Sequence, residues 1–214
     1  SDERLNELKE KLEKRTMGSV PVFVQSRYGS VTTELEDACT CINPFAVVMG
    51  TMGMGKMERM MFGSTTLTAI RRLHAPVMVI PPGVVFSPVQ KIGLACDFKN
   101  VQTCTPKKEI KAVVNEFGAE LHVVNIDRGF KHYAPAAREQ STLLHNMLEE
   151  LHPHYHFICR ENIEESLDEF ALRNKLGFLI VVPKKHSFTG GLFHKSCSNE
   201  LVTHAHVPVM AIHE

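Results

Sequence analysis

The sequence predicts an α/β protein with a parallel sheet, built as a tandem repeat. Helix and strand patterns alternate along the chain, and the short apolar strands run into Gly- or Pro-rich loops. Two stretches near the middle of the chain also return near its end.

Each element is legible in order. Leu5, Leu8 and Leu12 recur at three- and four-residue spacing among charges, which predicts an amphipathic helix over Leu5–Arg15. Val20–Gln25, rich in Val and Phe, reads as a strand. Val31, Leu35 and Ala38 share one face of a second helix, Val31–Cys41. Phe45–Met49 is a buried strand entering a Gly-rich loop at Gly50. A helix over Gly63–Leu73 is opened by Ser64 and Thr65, and Val77–Ile80 is a strand stopped by Pro81, Pro82 and Gly83.

After Pro88 the same order returns. Lys91–Ala95 is a strand followed by Asp97, and Thr105-Pro106 reads as the cap and first turn of a helix reaching Phe117. Strand Glu120–Ile126, helix Glu139–Leu151 and strand Tyr155–Cys159 follow. Helix Asn162–Asn174 has Asn162 as its cap, and strand Phe178–Val182 leads into a loop. Helix Lys195–Ala205 and strand Val207–Ile212 complete the second run. The repeat can be read residue by residue. Phe45-Ala-Val-Val-Met49 matches Phe178-Leu-Ile-Val-Val182, and His74-Ala-Pro-Val-Met-Val-Ile80 matches His206-Val-Pro-Val-Met-Ala-Ile212.

Composition narrows the functional classes. Lys plus Arg and Asp plus Glu both number 24, so the balanced charge gives no global attraction to nucleic acid or an anionic membrane. The longest apolar runs, Pro76–Pro82 and Phe178–Pro183, are far too short to span a bilayer. The six cysteines (Cys39, Cys41, Cys96, Cys104, Cys159 and Cys197) form no C-x-x-C pair and read as mostly reduced, buried thiols. With no apolar leader before the first helix, the expected location is cytoplasmic.

The most specific feature is Gly50-Thr-Met-Gly53, then nine residues, then Gly63-Ser64, lying between a strand and a helix. Gly50 and Gly53 permit positive φ and close approach of a ligand to the backbone. At Gly63 the free N–H groups and dipole of the following helix favour an anion, and the Ser64 and Thr65 hydroxyls add donors or cap the helix. The loop is neither a Walker motif nor a G-x-G-x-x-G fingerprint. Met52, Met54, Met57, Met60 and Met61 make it apolar, suited to packing or to an adenosine face.

This G-x2-G-x9-G-(S/T) spacing at a strand end, followed by a Pro-Val-x-Val-Ile strand, closely resembles the universal stress protein family. The resemblance covers nearly the whole chain as a tandem pair, residues 1–83 forming the latter part of a first domain and 84–214 a complete second one. It implies a Rossmann-like fold of five parallel strands in an order resembling 3-2-1-4-5. It also implies ATP, possibly with Mg2+, held by Gly50, Thr51, Gly53, Gly63, Ser64 and Thr65, with an acid after the first strand at the adenosine end. Family members that lack the loop do not bind nucleotide. In the second copy the loop reads Pro183-Lys-Lys-His186, nine residues, then Ser196-Cys197. Asp97 survives there without a glycine cradle, so this half is expected not to bind, and Lys184, Lys185, His186, His194 and Lys195 read as a solvated basic loop.

In the first half, no counterpart exists for the strand bearing Asp97, the helix after it, or Glu120–Ile126. The chain therefore reads as a fragment whose glycine-bearing half lacks its adenosine-side acid and binds nucleotide weakly. Val20–Gln25 is expected to be disordered, displaced or swapped with a second molecule. The family also implies that last strands meet antiparallel, with Val77–Ile80 and Val207–Ile212 as the pair, either within the chain or in a homodimer with an unknown downstream partner.

Catalytic and metal chemistry are weaker readings. No G-x-S-x-G elbow occurs, and turnover beyond slow ATP hydrolysis has no residue-level support. His152, His154 and His156 would share one face of an extended stretch and could hold Zn2+, although Pro153 favours a surface loop and no Cys or carboxylate stands at a convincing ligand spacing. His204 and His206 flank the last strand, where a core or interface role is expected. The leading expectation is an ATP-binding stress-response regulator. A nucleotide-free dimerising module of the same fold is the alternative, with metal binding ranked third.

Overall fold

The computed structural model describes residues 2–50, 64–127, 135–183 and 205–213. Helices α1 (Asp2–Arg15) and α2 (Val31–Ile42) precede strand β1 (Val47–Gly50), helix α3 (Ser64–Arg72) and strand β2 (Val77–Ile80). Then come β3 (Lys91–Ala95), the short α4 (Val101–Cys104), α5 (Lys107–Phe117), β4 (Glu120–Asp127) and α6 (Pro135–Leu148). β5 (His154–Cys159), α7 (Ile163–Arg173), β6 (Phe178–Val181) and β7 (Val209–Ala211) complete the order.

The strands form one sheet in the order β1-β2-β7-β6-β3-β4-β5. Within it, β5-β4-β3-β6-β7 reproduces the expected 3-2-1-4-5 order, all parallel. Strands β1 and β2 are parallel to each other, and β2 meets β7 antiparallel, as expected of the two last strands. The register across this seam is Val77 to Ala211, Met78 to Met210 and Val79 to Val209. In the repeat Met78 is the counterpart of Met210, so a local two-fold passes through the pair of equivalent methionines. The near-identical Pro-Val-Met segments are thus self-complementary, as an isologous contact requires.

Continuous apolar runs suit strands covered on both faces. On one face Ala69 and Ile70 of α3, Leu73 just after it, and Leu167 and Ala171 of α7 pack on Val77, Val79, Leu179, Val181 and Val209. On the other, Ile110, Val113 and Val114 of α5 and Leu144 and Leu148 of α6 pack on Ile92, Leu94, Leu121, Val123, Phe178, Ile180 and Met210. Each such buried aliphatic side chain contributes roughly 1.5–3 kcal/mol. Asn162 caps α7 as read from the sequence, its side chain accepting from the Glu165 N–H at 3.1 Å.

Three expectations need correction, and one helix that forms as read has no buried residue. Val20–Gln25 is not a strand and lies outside the sheet, with Phe23 89% exposed. Strand propensity cannot replace a partner; just after the segment Ser26 bonds Asp2 and Arg27 pairs with Glu34. Helix α1 forms but buries no residue, so its leucine stripe has no core to cover. Thr105 does not cap α5: its N–H closes α4 on the Val101 carbonyl, and Pro106 holds it extended. None of the five described cysteines is buried; Cys41 is exposed and the others are half-buried. Cys197 and most of the expected helix Lys195–Ala205 lie outside the described residues.

Candidate functional site

Strand β1 ends at Gly50 and α3 begins at Ser64, so the glycine-rich segment runs from the carboxyl end of a parallel strand to a helix amino terminus. That is where free N–H groups and the helix dipole favour an anion. Thr51, Gly53 and Gly63 lie outside the described residues, as do Met52, Met54, Met57, Met60 and Met61. Of the rest, Gly50 is exposed, Ser64 is the first residue of α3, and Thr65 follows it, half-buried. Gly50 pairs with Ile80 in ordinary strand geometry, without the positive φ expected of it. A Cβ built on Gly50 meets no atom of the described residues within 4 Å.

Among the described residues β1 pairs with β2 alone, leaving β1 at the sheet edge with Val48 64% exposed. In the second half Asp97 stands just past β3, exposed, with its carboxylate accepting from the Lys99 N–H at 3.1 Å. The rest of the degenerate loop, Lys184 to Cys197, is outside the described residues. His206 is not a core residue: its side chain is 57% exposed, and its ring Nδ1 lies 2.6 Å from Asp168 Oδ2 while its backbone N–H donates to Oδ1 at 2.7 Å. This pair pins the entry of β7 to α7. A cleft of about 450 Å3 lined by Glu36, Cys39, Asn43, Arg72 and His74 opens at the far ends of α2 and α3, at the opposite end of β1 from Gly50.

The histidines are arranged differently from the expectation. His152 caps a 3-10 turn in left-handed geometry and is not on β5. His154 and His156 do share a face of β5, and beside them on β4 stands His122, whose Cα partner is His154. His122 is buried, with Nδ1 3.0 Å from His156 Nε2 and Nε2 3.4 Å from Glu120 Oε2. Burial pushes the pKa of both His122 and His156 below the ordinary value, helped by their mutual repulsion with His154 and by Lys91. Sequence reading missed His122 because its partners lie 32 and 34 positions away and only strand pairing joins them. Among the described residues no group of three or more His, Cys, Asp or Glu already stands in metal-holding geometry, and no helix is long and apolar enough to cross a membrane.

The sequence model of the universal stress protein family matches residues 1–81. No curated protein matches the chain. Among solved structures, a universal stress protein from Archaeoglobus fulgidus is 17% identical with a TM-score of 0.69, covering 99% of this chain and 79% of its own. A functionally unknown protein from Pseudomonas aeruginosa is 12% identical with a TM-score of 0.68, covering 99% of this chain and 77% of its own. Identities this low speak for the fold alone, and that fold is the mostly parallel sheet with flanking helices described above. The family match thus covers residues 1–81, and the chain as a whole has the fold of the solved universal stress protein it resembles.

Proposed function

We propose that the chain is a stress-response regulator that binds an adenine nucleotide, ATP, through its first half. The observation that carries this reading is the strand-to-helix passage from Gly50 to Ser64, with glycines at 50, 53 and 63 and no atom of the described residues within 4 Å of a Cβ at Gly50. In this reading Gly50 and Gly53 admit the ribose and phosphates to the backbone. Gly63, Ser64 and Thr65 present N–H and hydroxyl donors to the phosphate oxygens, alone or with Mg2+, and Thr51 completes the set. Residues 1–83 then form the ligand-bearing unit and 84–214 a pairing unit that does not bind. Nucleotide-dependent change in the 50–63 loop would alter a partner surface, with hydrolysis slow or absent.

A second reading, a nucleotide-free interaction module, is favoured by the position of β1. As an edge strand it offers only one wall of a crevice that needs two. Calorimetry with millimolar ATP separates the two. The proposal expects saturable binding by the whole chain and at least a ten-fold loss on Gly53→Val. No heat at millimolar ATP, or equal binding by the variant, leaves the interaction module.

A further inference from the structure

One row of cross-strand partners runs through the sheet on a single face: Met49, Val79, Val209, Leu179, Gly93, His122 and His154. Over five strands this row is apolar, and over the last two it turns to imidazole. His156 lies one pleat further along β5 on the same face, with Phe170 of α7 4.7 Å from its ring centroid. The imidazoles are about five strand spacings, roughly 24 Å, from β1 and its glycine segment. The nucleotide reading has no use for them.

We propose that His122, His156 and His154 form a site for a divalent transition metal of the imidazole-preferring class, zinc(II) being the probe, with Glu120 as the carboxylate behind His122. The geometry supplies the reasons. Glu120 Oε2, 3.4 Å from His122 Nε2, is placed to accept a hydrogen bond from the Nε2–H, the tautomer that leaves Nδ1 with a lone pair. A carboxylate behind an imidazole is the arrangement that fixes tautomer and ring orientation in zinc sites. The freed Nδ1 faces His156 Nε2 at 3.0 Å. Zinc bonds of about 2.0–2.1 Å place two tetrahedral donors roughly 3.3 Å apart, so the pair must open by about 0.3 Å and both rings must turn until their lone pairs meet on the ion.

The third imidazole is close at hand. His154 is exposed, and its ring stacks on that of His122 with centroids 5.1 Å apart. Rotation of this one side chain brings a third nitrogen to the ion, and water fills the fourth position. Surroundings favour a cation on balance: Glu120 is beside the cluster, and α7 ends three residues past Phe170, pointing the negative end of its dipole this way. Lys91 opposes it, but its ammonium is drawn to Glu120 at 3.9 Å. Burial shifts the pKa of His122 and His156 downward, in the direction of the neutral ring that a metal ligand needs.

The test is zinc titration of the whole 214-residue chain, stripped with chelator, against a chromogenic zinc indicator at pH 7.5. One equivalent should bind with micromolar or tighter affinity. His122→Gln and His156→Gln should each lose at least ten-fold, and Glu120→Gln about ten-fold through loss of orientation. His152→Gln should bind like the parent. Histidine ring nitrogen shifts of the parent protein supply a readout that does not depend on the variants folding: zinc should move His122 and His156 first. No one-to-one binding at about 100 µM, shifts confined to other histidines, or loss in His152→Gln equal to that in His122→Gln overturns the proposal.

Discussion

Gly93 sits at the centre of the mixed row, between His122 on β4 and Leu179 on β6, and Gly93→Ala tests whether that row is packed as described. A Cβ built there lies 2.5 Å from Leu179 Cδ2 and 2.7 Å from Leu176 Cδ1. Ordinary contact begins near 3.4 Å, so the two leucine ends must retreat by about 0.7–0.9 Å. Flexible side-chain ends yield cheaply where there is room. Here Leu179 is fully buried and Leu176 is 5% exposed, both in the same core cluster, so their retreat displaces further neighbours. Overpacking of this kind costs about 1–3 kcal/mol, less what alanine regains by its lower unfolded-state entropy, about 0.4–1 kcal/mol. The net expectation is a loss of about 1–2 kcal/mol, read as a lower midpoint in urea with an unchanged slope. Gly118→Ala makes the comparison: at φ 56° with nothing within 4 Å, it costs through backbone strain alone, about 1–2 kcal/mol, and leaves the core unmoved. The two are told apart by methyl shifts of Leu176 and Leu179, which should move only in Gly93→Ala. A Gly93→Ala protein as stable as the parent, with those methyls unshifted, would refute the packing argument.

Two further predictions concern the same sheet. His122 and His156 have folded pKa values below the ordinary 6.5, chiefly from burial, so below pH 6.5 the unfolded chain binds protons that the folded one refuses. Stability is therefore full above about pH 6.5 and falls as pH drops from there towards the folded pKa values, at no more than about 1.4 kcal/mol per pH unit for each histidine. The groups facing them are Glu120, Lys91 and His154, while Phe170 of α7 adds no charge. Urea midpoints of metal-free protein at pH 7.5 and 5.5 should differ more for the parent than for His122→Gln, and an identical pH response would exclude the pair as its source. At the seam, Met210 is 1% exposed and its repeat counterpart Met78 is half-buried. Met210→Ala should thus cost about 2–5 kcal/mol and Met78→Ala clearly less, which denaturant titration of the two variants checks.

The sequence was most readable where local pattern and tertiary need coincide. Val77–Ile80 and Phe178–Val181 are apolar because both sheet faces are covered, so their composition announces their place. The duplicated Pro-Val-Met segments carried more than secondary structure, since a self-complementary repeat already implies that its two copies can pair. Val20–Gln25 shows the limit of the same method. Its Val- and Phe-rich composition suits a strand, but a strand exists only where another lends it hydrogen bonds, and no local pattern records whether that partner is present. His122 marks a second limit. Seen alone it is one histidine inside an apolar strand, and only the β4–β5 register turns it into the centre of a cluster. His152 failed in the opposite direction: spacing placed it with His154 and His156, and a left-handed residue at the strand entry took it off their face.

The antiparallel seam also sets where the two kinds of chemistry lie on the sheet. Pairing β2 with β7 reverses the first half relative to the second, so the carboxyl end of β1 lies at the same sheet edge as the amino ends of β3, β4 and β5. The glycine segment leaving Gly50 and the imidazoles near the start of β4 and β5 thus lie along one edge, with the apolar strands β2, β7, β6 and β3 between them. Those four strands are packed on both faces and hold the best-buried side chains of the described residues, among them Val77, Ile92, Leu179 and Ala211. A ligand at either end could influence the other only by moving this seam, and a close-packed core does not deform continuously. Occupancy of the two ends should therefore be additive: saturating zinc should leave the ATP titration unchanged within error, and a shift of three-fold or more would mean that β2 and β7 move as a two-state element.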